Sequence, residues 1–258
     1  MLSGVPAEAD SRREFPMSSV SSSSNIVKRI QRLHWEGLAS ALAENGYAQT
    51  GCVLSGKECR ELISFYGDDT RFRSHIDMAR FRFGLGDYKY FANPLPAAVQ
   101  ELRTGFYPHL AAIANQWAEN LGSRERFPER LDEFLRLCHR HGQNRPTPLL
   151  LRYTAGGYNC LHHDIYGEVA FPLQVACFLS QPGQDYSGGE FLLVEQRPRA
   201  QSKGEVVVPR QGEAVIFTTR YRPVRGARGY YRVNMRHGVG RVRSGERYTL
   251  GIIFHDAK

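Results

Sequence analysis

The sequence predicts an α+β fold in which N-terminal helices pack on one side of a β-sandwich or jelly roll. Three observations carry this. Residues 26–138 hold most of the helical periodicity. After Gly142 the pattern changes to short β-rich segments near 149–154, 169–180, 189–195, 204–208, 213–218, 231–239 and 246–255. Gly and Pro punctuate them, as at Gly156-Gly157, Pro182-Gly183 and Gly188-Gly189. Helices first and many strands later favour segregated layers over alternating βαβ units.

At 258 residues the chain can bury a full core. Residues 1–25 are rich in serine and poor in large apolar groups, so they are expected to be a disordered N-terminal tail, and Met17 is an alternative start. Residues 26–258 are then expected to form one domain, with a helical part (26–145) and a jelly-roll part (146–258).

The helices are expected as follows. Asn25 serves as an N-cap, Ile26, Ile30, Leu33, Leu38 and Leu42 follow at helical spacing, and Asn45-Gly46 stops the run. Ser55 to Glu58 fits a capping box. Residues 67–93 read as irregular. A pattern from Val99 to Leu121 is a third helix, with Pro108 predicting a kink or break near Tyr107. Pro128 in a first turn opens a fourth helix through Cys138.

His162-x-Asp164 ends a strand-like run. Alternation with period two places His162 and Asp164 on one face and His163 on the other. His237, before Gly238, can supply a third ligand from another strand. Two histidines and a carboxylate make the facial triad of non-haem iron(II) oxygenases, with positions open for a cosubstrate and O₂. HxD alone is common by chance, His163 is the competing ligand, and His255 reads as structural.

The dianion 2-oxoglutarate, as cosubstrate, requires a buried cation. Arg247 suits that role through bidentate hydrogen bonding, against the bland reading of a surface arginine. Thr249 shares its face, and Tyr153 can place a hydroxyl on the cosubstrate from an adjacent strand. Asn234 and Arg236 are candidates for orienting metal or cosubstrate.

The ordered set RYTAGG, LHHD, GGEFLLVE, QGEAVIF and RHGVGRVRSGERYTL over about 149–256 resembles the Fe(II)/2-oxoglutarate-dependent dioxygenases. The resemblance implies a double-stranded β-helix (cupin-like jelly-roll) core, with His162, Asp164 and His237 as metal ligands. The context of Arg247 resembles the prolyl-4-hydroxylase-like branch. The whole chain, including GDYKYF (86–91) and LGIIFHD (250–256), resembles a bacterial family of oxygenases acting on damaged nucleic acid. That implies oxidative demethylation of DNA or RNA bases. AlkB-type enzymes carry two arginines six residues apart after the distal histidine; here Ile253 stands six residues after Arg247.

The formal net charge of +8 suits a polyanionic partner or simple solubility. Arginines and aromatics interleave at 71–91 and 218–236. From these, Arg80, Arg82, Tyr88, Tyr90, Arg225, Arg228 and Tyr230 are the candidate substrate contacts. Against this stands the reading that the arginines pair with carboxylates and the aromatics are core. The expected function is base demethylation. The alternatives are hydroxylation of a protein side chain or small molecule, and a non-catalytic nucleic-acid-binding barrel. No apolar run approaches ~18 residues, so no membrane span is expected. With no secretory signal, the five cysteines are expected to be thiols in a cytoplasm.

Overall fold

The computed structural model describes residues 25–164 and 167–258. The expected tail lies outside them except for Asn25, which is the first residue of a helix. Two antiparallel sheets face each other, and helices cover the outer side of the larger one.

The larger sheet runs β1 (Tyr47–Cys52), β11 (Glu213–Thr218), β7 (Leu173–Phe178), β14 (Val242–Ile252), β5 (Leu149–Thr154), β4 (Asp87–Phe91) and β2 (Phe72–Asp77). A short strand, β8 (Tyr186–Gly188), pairs with β14. The smaller sheet runs β10 (Lys203–Val207), β9 (Phe191–Gln196), β13 (Gly229–Val239), β6 (Tyr158–His162) and β3 (Gly84–Leu85), and β12 (Tyr221–Gly226) pairs with β13. This is the expected jelly roll with helices on one side.

β7 shows why its sequence is almost continuously apolar: every residue is buried. Leu173, Val175 and Cys177 face the helices, while Ala176 and Phe178 face the second sheet. A strand covered on both faces loses its polar alternation. β11 repeats this, with Ala214 and Ile216 outward and Val215 and Phe217 inward.

The first half of the chain departs from its expected form. The single helix expected through Leu42 is two, α1 (Asn25–Gln31) and α2 (Trp35–Asn45). The indole of Trp35 donates to the Ile30 carbonyl and its ring stacks on His109, which turns the chain between them. Gly46 caps α2 in the left-handed region as expected. The capping box opens α3 (Gly56–Ser64), and Glu58 also pairs with Arg29 of α1 at 2.6 Å. α4 (Ala97–Asn120) continues through Pro108 without the expected break. α5 (Leu131–Arg140) begins three residues after Pro128, with Arg130 at the N-cap, so Pro128 is not a first-turn residue.

Residues 67–93 are not irregular. They hold β2, β3 and β4, and with β1 they bring four strands from the segment expected to be helical into the sheets. β4 pairs with β5, so Tyr88 and Tyr90 lie beside Leu151 and Leu149. Among the described residues no helix is long and apolar enough to cross a membrane.

Candidate active site

The two sheets enclose a cavity of about 470 Å³ that opens to solvent on one side. β6 and β13 bring His162 and His237 into direct register, with ring centroids 4.2 Å apart. A bulge follows: Val239 pairs with Asn159, so β6 carries one extra residue. Gly238 permits this close approach, because a Cβ there would stand 2.8 Å from the Asn159 carbonyl oxygen. Asp164 lies just past β6, and its backbone N–H donates to the Thr219 carbonyl.

Asp164 bridges the histidines. Its Oδ1 is 3.4 Å from His162 Nε2, and its Oδ2 is 3.1 Å from His237 Nε2. One ligand atom from each residue fits within a 4.8 Å cluster. Adjacent ligands at ~2.1 Å from one ion stand about 3 Å apart, so this donor set fits a divalent metal. His162 Nδ1 lies 2.7 Å from the Cys160 carbonyl, which can orient the ring with Nε2 toward the cluster. Burial alone would raise the Asp164 carboxyl. The adjacent His237 and His162 rings instead hold it well below the usual range, ready as an anionic ligand. Burial pushes His237 down, toward the neutral imidazole that a metal takes. His163 lines the cavity but is outside the cluster. His255 is buried elsewhere and accepts a hydrogen bond from the Phe171 backbone, as a structural residue does.

Deeper in, on β14, Arg247 is 1% exposed. Its Nη1 donates to Thr249 Oγ1 at 2.7 Å, while Nε and Nη2 are buried and make no hydrogen bond of standard geometry. Tyr153 is the cross-strand partner of Arg247, and its buried hydroxyl likewise makes no hydrogen bond of standard geometry. Leaving such groups unpaired costs roughly 1–3 kcal/mol each, more for a charge. A guanidinium with two idle donors and a phenol beside it fit a carboxylate. The aromatic rings of Phe178 and Tyr186 flank the guanidinium at 5.2 and 6.0 Å, excluding water from its sides. Gly189, at φ +64°, lets the backbone close over it; a Cβ would lie 3.0 Å from Arg247 Cδ.

Of the expected cosubstrate residues, Arg247, Tyr153 and Thr249 meet in this cavity, and Asn234 does not. Along β13, Val233, Met235 and His237 are buried, while Asn234 and Arg236 are exposed on the outer face. Asn234 is an odd number of residues from His237, so the pleat turns it away.

The expected substrate contacts separate into two groups. Arg82, Tyr88 and Tyr90 line the cavity. Arg80 is exposed on the neighbouring turn and does not line it. Arg225 and Tyr230 pair across the β12–β13 hairpin, line a separate small pocket, and with exposed Arg228 lie outside the cavity. The pairing alternative holds for several basic residues: buried Arg222 binds Glu195 at 2.6 Å, Lys89 binds Asp69, and Arg152 binds Asp87.

Gln174 was not among the expected site residues. It is buried on β7 and donates to Asp164 Oδ2 at 2.9 Å. Its signal was a lone amide inside the apolar run FPLQVACF. A buried amide in a core strand requires a partner.

Known proteins share the family and the fold of this chain. Residues 86–257 match the model of a family, Oxygenase-NA, described as an oxygenase catalysing oxidative methylation of damaged DNA. An uncharacterized protein of Mycobacterium tuberculosis, matched in two strains, is 51% identical over 167 residues, covering 65% of this chain and 72% of that protein. Solved structures with a similar fold include a Pseudomonas putida prolyl-4-hydroxylase (15% identity, 87% of this chain and 100% of that one, TM-score 0.50). A 2OG-Fe(II) oxygenase family oxidoreductase from Burkholderia pseudomallei is 16% identical (86% and 92%, TM-score 0.51). A non-heme alpha-ketoglutarate-dependent epimerase of nogalamycin biosynthesis is also 16% identical (86% and 82%, TM-score 0.53). The family match spans most of the chain and the fold around the cavity is that of the 2-oxoglutarate/iron(II) enzymes, so this protein belongs to the Oxygenase-NA family of oxygenases.

Proposed function

We propose that residues 26–258 form one Fe(II)/2-oxoglutarate-dependent dioxygenase domain that removes N-methyl groups from damaged bases in DNA or RNA. One observation carries the cosubstrate assignment: the buried Arg247 guanidinium, with two idle donors, shares a cavity with the His162, Asp164 and His237 cluster. Iron(II), 2-oxoglutarate and O₂ together supply the oxidising equivalent that hydroxylates a C–H bond, with succinate and CO₂ as co-products. A hydroxylated N-methyl group then leaves as formaldehyde. Oxidation of this kind strips a methyl group, so we read the family's described chemistry as demethylation.

The chain's own residues divide the remaining work. His162, Asp164 and His237 hold the metal, and Gln174 fixes the Asp164 carboxylate. Arg247 binds the remote carboxylate. Thr249 already accepts from Arg247, which leaves its own proton to donate to the same carboxylate. The Tyr153 hydroxyl, kept protonated by burial, is a second donor. Leu149, Leu151, Phe191 and Phe217 keep water from the cavity walls. Tyr88 and Tyr90, in edge-to-face contact at 5.4 Å, offer aromatic walls near the mouth. The family description and the +8 net charge support a nucleic-acid substrate. All five cysteines are free thiols, in keeping with a reducing cytoplasm.

The purified protein with iron(II) should convert 2-oxoglutarate to succinate and release formaldehyde from N-methylated single-stranded DNA or RNA. His162→Ala should bind no iron. Succinate formation driven by a peptide panel, with no formaldehyde from any methylated nucleic acid, would transfer the same chemistry to a protein side chain. Full iron loading with no turnover of 2-oxoglutarate would overturn the enzyme reading.

A further inference from the structure

We propose that Phe81 and Phe83 form a stacking platform at the cavity mouth that grips the nucleotides flanking the target base. This rests on the nucleic-acid reading above. Both rings are exposed, by 53% and 46%, an unusual state for two adjacent large aromatics. They stack on each other with centroids 5.5 Å apart and planes 20° from parallel. Arg82 between them adopts a left-handed conformation, φ 60°, uncommon for a residue with a side chain. Alternating residues of a strand stand further apart than stacked rings. Arg82 ends a short 3-10 turn over Ala79–Phe81, and this left-handed cap draws Phe81 and Phe83 together.

The platform is rigidly tied to the active site. Phe81 and Phe83 both donate backbone hydrogen bonds to the carbonyl of Met78, which is fully buried beside Tyr153 and Val239. The Phe83 carbonyl accepts from Cys160, two residues before His162 on β6. Phe83, Arg82 and Leu161 (43% exposed) line the cavity that holds His162, Asp164 and His237. An apolar patch of this kind, open beside a reactive centre, is a binding surface.

Charge decides the occupant. Arg80 and Arg82 are exposed on the same turn, and neither forms an ion pair among the described residues. Near the ligand cluster Arg220 and Arg236 are also exposed: Arg220 follows Thr219, whose carbonyl accepts from the Asp164 N–H, and Arg236 precedes His237 on the outer face of β13. Aromatic faces flanked by unpaired arginines suit an unpaired base with its phosphates, since every base has a π-face and every linkage a negative charge. Bases in a duplex present no face to such a platform. Peptides lack the regular anionic repeat that would occupy both arginine groups.

The test is binding of a fluorescein-labelled single-stranded oligonucleotide, followed by anisotropy, beside formaldehyde release from its N-methylated form. The Phe81→Ala/Phe83→Ala protein should bind the strand at least about tenfold more weakly, with KM for the methylated strand rising in parallel. Its thermal midpoint should match the wild type, because both side chains are exposed. Phe81→Tyr/Phe83→Trp, which keeps the π-faces, should retain wild-type affinity. Formaldehyde release with unchanged affinity and KM in the alanine variant would overturn the platform and leave demethylation standing. A wild type that forms succinate but neither binds nor demethylates any oligonucleotide would overturn both. Loss of peptide binding instead of oligonucleotide binding in the alanine variant would reassign the surface and overturn the proposal.

Discussion

Arg103 and Arg247 are buried to nearly the same degree, on opposite sides of one sheet, and their surroundings differ completely. Arg103 projects from α4 to the far end of the β14 segment. Its Nε donates to the Ile253 carbonyl at 3.0 Å, and its Nη2 reaches the Phe254 carbonyl and Asp256 at 2.8 Å. Arg247 sits on the inner face of β14, where only Nη1 makes a hydrogen bond of standard geometry. Folding satisfies the first arginine by itself. The second stays short of partners until something anionic enters the cavity. Burial alone therefore does not separate structural from functional charge; the hydrogen-bond account does.

The largest effect should fall on the helix–sheet side. Arg103→Met leaves the Asp256 carboxylate buried with His139 at 3.0 Å, takes the side-chain donor from the Phe254 carbonyl, and leaves the Ile253 carbonyl with Thr147 Oγ1 at 3.4 Å. A loss of about 3–5 kcal/mol is expected, read as the urea midpoint. A loss within the error of the measurement would mean that the pairing around Arg103 is dispensable, and the contrast with Arg247 would lose its structural half.

His255 belongs to the same interface and gives a pH test. Burial and the nearby Arg103 push its imidazole down to about 4, from an ordinary value of 6.5. The unfolded chain therefore takes up the proton first. The stabilisation is whole above pH 6.5 and drains away as pH falls from 6.5 to 4, by about 3 kcal/mol in all. His255→Asn keeps an acceptor for the Phe171 N–H and removes the titration, so its stability should fall less over that window. Parallel wild-type and variant curves would sink the assignment.

On the cavity side the sign reverses. Arg247→Met removes an incompletely paired buried charge, so stability should hold or rise by about 1–4 kcal/mol. Affinity for 2-oxoglutarate should fall roughly 100-fold, as two charge-assisted hydrogen bonds are lost. A variant that loses stability as Arg103→Met does, and keeps its cosubstrate, would break the comparison.

What the sequence disclosed followed parity and spacing. Arg247 and Thr249 were legible because period-two alternation on β14 gives them one face, and His162 and Asp164 because the same alternation holds just past the end of β6. The same rule, applied strictly, excludes Asn234. The break between α1 and α2 left a faint trace, since the step from Leu33 to Leu38 is five residues where three or four would continue one stripe. Strands β1 to β4 were hidden for a different reason. For β1, β4 and β3 the pairing is imposed by β11, β5 and β6, which lie far along the chain, and β2 joins the sheet only through β4. The Phe81–Phe83 stack depends on a left-handed arginine that no residue pattern announces.

Gln174 provides the finest test, because it belongs to the cavity yet has no buried polar atom without a partner. It donates to the Asp164 oxygen that His237 also approaches, at 2.9 and 3.1 Å. Removing it leaves all three proposed ligands in place and takes away one hydrogen bond that orients the carboxylate. Partners that orient a metal ligand are worth roughly 10–100-fold in metal affinity. Gln174→Ala should therefore weaken iron binding about tenfold, by competition with a chelator, while 2-oxoglutarate affinity at saturating iron stays near wild type. Gln174→Glu should be worse, since a second carboxylate beside Asp164 replaces a donor with a repelling charge. If instead the alanine variant lost 2-oxoglutarate and kept iron, Gln174 would belong with Arg247, and metal and cosubstrate would not be held by separate sets of side chains.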